Sequence, residues 1–313
     1  MNLYWKNLSL KRKVAGKLKG YYYSWLGKLQ AGKKWNPKIA SIEVTLEKII
    51  KDKSSVSRYG DGEYKWMAGI PQNSFQNSSK EMAERLQEII KSEEKNHLVC
   101  LSDGFSKLNY LNSEAQGFWY HFMGEHRKRW IAFLKSGKQY YNTNMTRPYM
   151  DYLDKTPCKH RFDLLKEIWK NRDVILIEGK KSRLGIGNDL FSEAKSIKRI
   201  LAPAMNAYDK YNEIFQTAME QDKEALYLIA LGPTATILAY DLYKSGRQAI
   251  DVGHVDIEYE WFLRGAGRKI RIPNKYVNEV NAGNGVEENL EDEKYQSQIV
   301  ARIELGESGK REV

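Results

Sequence analysis

Ala225-Leu226-Tyr227-Leu228-Ile229-Ala230-Leu231-Gly232-Pro233-Thr234-Ala235-Thr236 is the stretch that decides the fold. Seven apolar residues in a row are too few for a buried helix and suit a strand covered on both faces. Gly232-Pro233 stops that strand, and proline in the first turn opens a helix that runs through Lys244 and ends at Gly246. Gln248-Ala249-Ile250-Asp251-Val252-Gly253 then reads as the next strand.

The same alternation extends upstream. Asp173-Val174-Ile175-Leu176-Ile177-Glu178-Gly179 has the β-branched content of a central parallel strand, and Ile197 to Leu201 gives another before Ala202-Pro203. Further back, His97 to Ser102 and Val56 to Tyr59 read as strands. Helical spacing marks Ile39 to Lys51, Ser79 to Lys91 with Ser79 as N-cap, Phe118 to Leu134, Arg161 to Asn171 and about Ala207 to Gln221. Strands alternating with helices from Val56 to Val252 predict an α/β fold, a mostly parallel sheet sandwiched by helices. The expected organisation is a basic, aromatic N-terminal helical extension over residues 1–38, a main domain over 39–283, and a charged, loosely held tail over 284–313.

With 313 residues the chain can bury a substantial core. No apolar run approaches the roughly 18 residues of a membrane span, and the N-terminus lacks the apolar core and cleavage site of a signal peptide. Cys100 and Cys158 are too few for a disulfide framework or zinc site, so a cytoplasmic setting is the expectation. The net charge of +11 is concentrated in residues 1–38, which hold ten Lys or Arg and no acidic residue. The rest is nearly neutral, which argues against a nucleic-acid-binding body. In residues 1–35 those cations interleave with Trp, Tyr and Leu. This suits peripheral contact with an anionic membrane on its inner face, or equally a basic arm packed on the body or a second subunit.

Three polar clusters follow strands. Ser57-Arg58-Tyr59-Gly60-Asp61-Gly62-Glu63-Tyr64 places two carboxylates one residue apart, and in extended backbone both would project to one side. Asp61 and Glu63 would then hold Mg²⁺ or Mn²⁺, with substrate phosphate oxygens filling the other positions. The alternative is an ordinary hairpin turn with Glu63 solvated. Lys180 to Asp189 is rich in glycine and cations without a dinucleotide or Walker pattern; Ser182, Arg183, Gly185 and Asn188 are candidates for phosphate or sugar, or else for tight-loop and capping roles. His254, Asp256 and Glu258 enter a polar loop in which His254 or Asp256 would act as general base or metal ligand, or satisfy backbone donors. Gly232 and Thr234 leave free N–H groups at a helix start for an anion, and Arg147, in the polar loop 142–149, would bind phosphate or stay solvated. Loops leaving parallel strands at one edge converge, which favours the metal reading.

Taken together and in this order, Arg58-Tyr59-Gly60-Asp61-Gly62-Glu63, Ser182 to Asp189, Leu231-Gly232-Pro233-Thr234-Ala235 and Gly253 to Trp261 resemble the GT-D-type glycosyltransferases, over roughly Ser55 to Gly283. The resemblance implies a Rossmann-like sheet, a UDP-linked sugar donor such as UDP-glucose and a divalent metal, Mn²⁺ or Mg²⁺. It ties the Asp-X-Glu motif, here Asp61 and Glu63, to metal and donor. Arg58 and Gly60 belong to the same motif as candidate substrate contacts. The implied acceptor is a bacterial surface glycan, glycoprotein or polysaccharide precursor modified from the cytoplasmic side. Competing expectations are a nucleotide-sugar or phosphoester hydrolase on the same carboxylates, and a non-catalytic membrane- or nucleic-acid-binding protein.

Overall fold

The computed structural model describes residues 2–72, 75–277, 279–280, 283, 286 and 290–305, with side chains from residue 16 onward. Among these residues nine strands form one sheet: β1 (Lys38–Ile39), β2 (Ser55–Tyr59), β3 (His97–Leu101), β4 (Gln139–Asn142), β5 (Asp173–Gly179), β6 (Ser196–Ala202), β7 (Leu226–Ala230), β8 (Gln248–Asp251) and β9 (Ile299–Arg302). Their spatial order is β1-β4-β3-β2-β8-β7-β5-β6-β9, and every pairing is parallel. The expected α/β class therefore holds. The β5 run is buried from Val174 to Gly179 and β7 from Leu226 to Ile229, because helices cover both faces.

The connecting helices are α1 (Asn2–Gln30), α2 (Ile42–Asp52), α3 (Asp61–Met67), α4 (Lys80–Ile89), α5 (Ser113–Phe133), α6 (Cys158–Trp169), α7 (Tyr211–Met219), α8 (Pro233–Lys244), α9 (Val255–Leu263) and α10 (Glu293–Gln298). Ser79 caps α4 as expected, its hydroxyl accepting from the Met82 amide at 3.1 Å. From β2 the chain moves to β3 on one side, while from β5 it moves to β6 on the other, so the order diverges across the central β8 and β7. Loops at the carboxyl ends of those central strands therefore gather at the edge where open α/β sheets place their ligand crevice.

Three expectations change. The stretch after β8 is the helix α9, not a polar loop, because Val255, Ile257, Tyr259 and Trp261 bury against the core. The polar stretch near Asn142 contributes β4 and a 3-10 turn, Thr143–Thr146. The C-terminal stretch is not wholly loose: Tyr295 is buried and β9 pairs with β6, with Ile303 packed beneath, although residues 284, 285, 287–289 and 306–313 lie outside the described residues. Helix α1 packs along α5, as the body-packed reading anticipates. Glycines set that contact: a Cβ on Gly27 would lie 1.8 Å from the Tyr120 carbonyl oxygen, and one on Gly124 1.8 Å from that of Tyr23. Among the described residues no helix is long and apolar enough to cross a membrane.

Candidate active site at the carboxyl edge of the sheet

The carboxylate stretch is a strand-to-helix junction. Gly60 ends β2 as the N-cap of α3, Asp61 is the first helical residue, and Glu63 turns back so that its Oε2 accepts from the Gly60 amide at 2.8 Å. Asp61 lies 2.7 Å from Lys65 one turn on and keeps about a third of its side chain exposed. Residues two apart on a helix point about 200° apart, so the extended arrangement with both carboxylates facing one cation is corrected. Burial pushes Glu63 up to about 7 and the neighbouring Asp251 charge adds to this, while the Gly60 amide and Arg58 oppose it.

Arg58, expected to meet substrate, is instead committed to the scaffold. Its Nη2 lies 3.0 Å from Asp251 Oδ1, its Nε donates to the Asp251 carbonyl at 3.0 Å, and its Nη1 donates to Thr146 Oγ1 at 2.8 Å. The ion pair crosses from β2 to β8 and rests on Gly253. Burial raises the Asp251 carboxyl even though Arg58 pulls it down.

Helix α8 is tied to the end of β2: Thr236 Oγ1 donates to the Arg58 carbonyl at 3.0 Å, and Ser57 Oγ donates to the Thr236 carbonyl at 2.6 Å. Its N-terminus therefore stands beside Gly60 and Asp61. Gly232 has φ +56, and the Phe75 ring lies 2.4 Å from where its Cβ would be. Phe75 in turn meets Trp66 of α3 edge-on at 6.1 Å, and its carbonyl accepts from the Asn206 amide at 2.8 Å. Thr234 is fully buried, and among the described residues its Oγ1 has no hydrogen-bond partner. An unsatisfied hydroxyl in the first turn of a 12-residue helix marks a place for an acceptor group from outside the chain.

The 180–189 loop is buttressed from below. Asp256 is fully buried: its Oδ1 accepts from the Gly185 amide at 2.9 Å and from Asn188 Nδ2 at 2.8 Å, and its Oδ2 lies 2.6 Å from Lys275 Nζ. Asn188 and Lys275 also reach Glu260 Oε1, at 2.8 and 3.0 Å. With both oxygens occupied, Asp256 is a strut that shapes the loop and not a base open to a hydroxyl. Arg183 is likewise buried, at φ +52, with Nη1 donating to the Asn274 carbonyl at 3.0 Å, so its charge lies under the crevice instead of lining it. Gly185, at φ +73, has the Phe191 ring 2.5 Å from its would-be Cβ. Ser182 remains half-buried at the loop's start, its amide donating to the Gly179 carbonyl.

Arg147 is an ion-pair residue and not a solvated one. It grips Glu279 with Nη1 and Nη2, at 2.8 and 2.9 Å, and lies 3.6 Å from Glu258. Glu258 in turn accepts from the Tyr149 and Met150 amides, which removes it from the open site, and burial raises its carboxyl. His254 Nδ1 stands 3.3 Å from Glu279 Oε1 with about a third of the side chain exposed, and Lys269 Nζ lies 2.7 Å from Glu279 Oε2. Burial works against ionising Glu279, but Arg147 and His254 outweigh it and hold the carboxyl far below its usual range.

Glu279, Asp251, Thr236 and Lys275 escaped the reading of the sequence. For Asp251 a signal existed: a lone carboxylate ending an apolar strand, as Glu178 does in β5, where it pairs with Arg199. Among the described residues no group of three or more His, Cys, Asp or Glu side chains stands ready for a metal, so a cation near Asp61 would complete its shell with ligand oxygens.

The comparison with known proteins agrees with this layout. The family model of the glycosyltransferase GT-D fold matches residues 56–280. The chain is 40% identical over 268 residues to a probable glycosyl transferase, Gly, of Streptococcus gordonii, and 41% identical over 268 residues to glycosyltransferase GlyD of Streptococcus pneumoniae. Each match covers 85% of this chain but only 39% and 32% of those longer proteins. A solved glycosyltransferase structure from Streptococcus sanguinis superposes with a TM-score of 0.82 at 38% identity, covering 86% of this chain and all of that one. A second, described as having a distinct glycosyltransferase fold, gives a TM-score of 0.82 at 37% identity over 91% of this chain and all of its own. The chain therefore belongs to the GT-D-fold glycosyltransferase family.

Proposed function

We propose that the protein transfers a sugar, a hexose such as glucose, from a UDP-linked donor to a hydroxyl of a bacterial surface glycan, glycoprotein or polysaccharide precursor, with the help of Mn²⁺ or Mg²⁺. The observation that carries this reading is the pairing of two features at one sheet edge: the Thr234 hydroxyl at the start of α8, unpartnered among the described residues, and the partly exposed Asp61 carboxylate at the start of α3. Two helix N-termini offer free N–H groups to a diphosphate.

Asp61 fits a divalent cation in the mode where one carboxylate and substrate phosphates share the ion. Glu63 supports it from the second position, because one of its oxygens is committed to Gly60. When bound, the cation would neutralise charge on the departing nucleoside diphosphate. The chain's own residues then do the rest. Thr234 and the α8 amides orient the diphosphate, Gly232 lets Phe75 close over that helix start, and Ser182 offers a hydroxyl from the loop rim. His254, oriented by Glu279, is the accessible group to take the acceptor proton. The rigid struts Arg58–Asp251 and Asp256–Lys275 keep these groups in register.

A thermal-shift screen tests the reading. UDP-glucose with Mn²⁺ should raise the melting midpoint more than either alone, since ligand binding to the native state stabilises it. No shift with any UDP-sugar overturns the donor assignment. Free sugar as the sole product with acceptors present assigns hydrolysis instead.

A further inference from the structure

Helix α1 uses one face against α5 and leaves the opposite face bare. Its packed side runs through Gly20, Tyr23 and Gly27, with the Gly20 carbonyl 3.3 Å from His121 Nδ1. The other side carries Leu18, Tyr22, Trp25 and Leu29, spaced four, three and four residues apart and so aligned in one stripe, with Tyr21 beside it. These five side chains are between 52% and 72% exposed. Lys17 and Lys28 lie along one border, and Lys19 along the other, where its Nζ also comes within 3.9 Å of Glu125 on α5; all stand roughly 80–110° from the stripe's centre. Exposed Trp35, preceded by Lys33 and Lys34, continues the same chemistry past the helix.

We infer that this bare face of α1 docks on an anionic lipid surface. The apolar stripe needs an apolar phase, and the lysines on its borders need anions at the level where that phase ends. A bilayer with acidic headgroups supplies both: Trp and Tyr sit at the interface, and lysine stems lie along it with their ammonium groups among phosphates. Residues 1–38 hold no acidic side chain to repel such a surface. A two-fold dimer through this face would set the lysine borders of each copy against those of the other. A nucleic acid would meet aliphatic Leu18 and Leu29 where base stacking calls for rings. This inference is independent of the proposed reaction.

Co-sedimentation of the whole chain with vesicles tests it. Binding is expected to vesicles of phosphatidylcholine mixed with phosphatidylglycerol, to be lost at high salt, and to be absent with phosphatidylcholine alone. Trp25→Ser combined with Leu29→Ser should weaken it at least tenfold, and Lys17→Gln with Lys28→Gln roughly fivefold per lysine. All four positions are exposed, so unchanged melting midpoints will show that the variants are folded. The inference is overturned by no binding to anionic vesicles, by equal binding to neutral ones, or by full binding of the double variants. It is equally overturned if light scattering shows a dimer that the Trp25→Ser, Leu29→Ser variant loses, or if an oligonucleotide binds more tightly than the vesicles.

Discussion

The guanidinium of Arg58 fills the space a side chain at position 253 would need: a Cβ on Gly253 would lie 1.7 Å from Arg58 Nη2. Gly253 also has φ +44. Gly253→Ala should therefore strain the backbone and push Arg58 off Asp251 and Thr146. The expected loss is roughly 3 kcal/mol of stability, adding left-handed strain to broken charge-assisted hydrogen bonds. Urea denaturation measures it, and a loss below about 1 kcal/mol would show that Arg58 yields freely.

The role proposed for Asp61 can be tested apart from folding. Its carboxylate is partly exposed and, among the described residues, pairs with Lys65 along the helix, a contact worth under about 1 kcal/mol. Asp61→Asn should leave the melting midpoint within a few degrees of the parent while lowering sugar transfer by about 10²-fold or more. Transfer from UDP-glucose to a soluble acceptor is the readout, and near-normal turnover would remove Asp61 from the site.

His97 makes the fold acid-sensitive. The Ser57 hydroxyl gives its proton to the Thr236 carbonyl, so at 2.9 Å from His97 Nε2 it must accept the imidazole N–H. Nδ1 is buried and, among the described residues, has no partner. Burial, helped by Lys138, lowers the imidazole from 6.5 to about 3. Between those values the unfolded chain takes up a proton that the folded chain refuses, so stability falls as pH drops below 6.5 and levels off near 3. About 2 kcal/mol should be lost by pH 5. Denaturation midpoints against pH should flatten over that window in His97→Leu, and an unchanged slope would assign the acid sensitivity elsewhere.

Gly124 runs against the usual helix propensity. Alanine in mid-helix ordinarily gains about 1 kcal/mol over glycine. Here the added Cβ would meet the Tyr23 carbonyl oxygen at 1.8 Å, so Gly124→Ala should instead destabilise and loosen α1 from α5. Limited proteolysis should then cut within α1 faster, with the rest of the chain surviving. A more stable variant would mean that the helices slide apart at no cost.

Much of the sheet was legible because its central strands are apolar runs. Asp173–Gly179 and Leu226–Ala230 lie almost where their composition put them. The two-residue β1 and the polar β4 carry no such signal, since pairing with a neighbour and not burial defines them. The Asp61–Glu63 stretch was rightly located after β2, but its helical backbone was not, because glycine on both sides of Asp61 reads equally as a turn.

The candidate site divides along the same line. By itself the sequence determined the α/β class, the loops that gather at one edge and the family, since hydrophobic period and ordered motifs are local properties of a chain. Only the tertiary structure decided which polar residues remain available there. Asp256, Arg183 and Arg58 look like reactive groups in one dimension, yet each is spent on a partner far along the chain, Lys275, Asn274 and Asp251 respectively. Asp61, Thr234 and His254 keep an accessible or unsatisfied atom. The reason is physical: a buried charge must be paired, and its pairing partner is set by the fold, not by its neighbours in sequence.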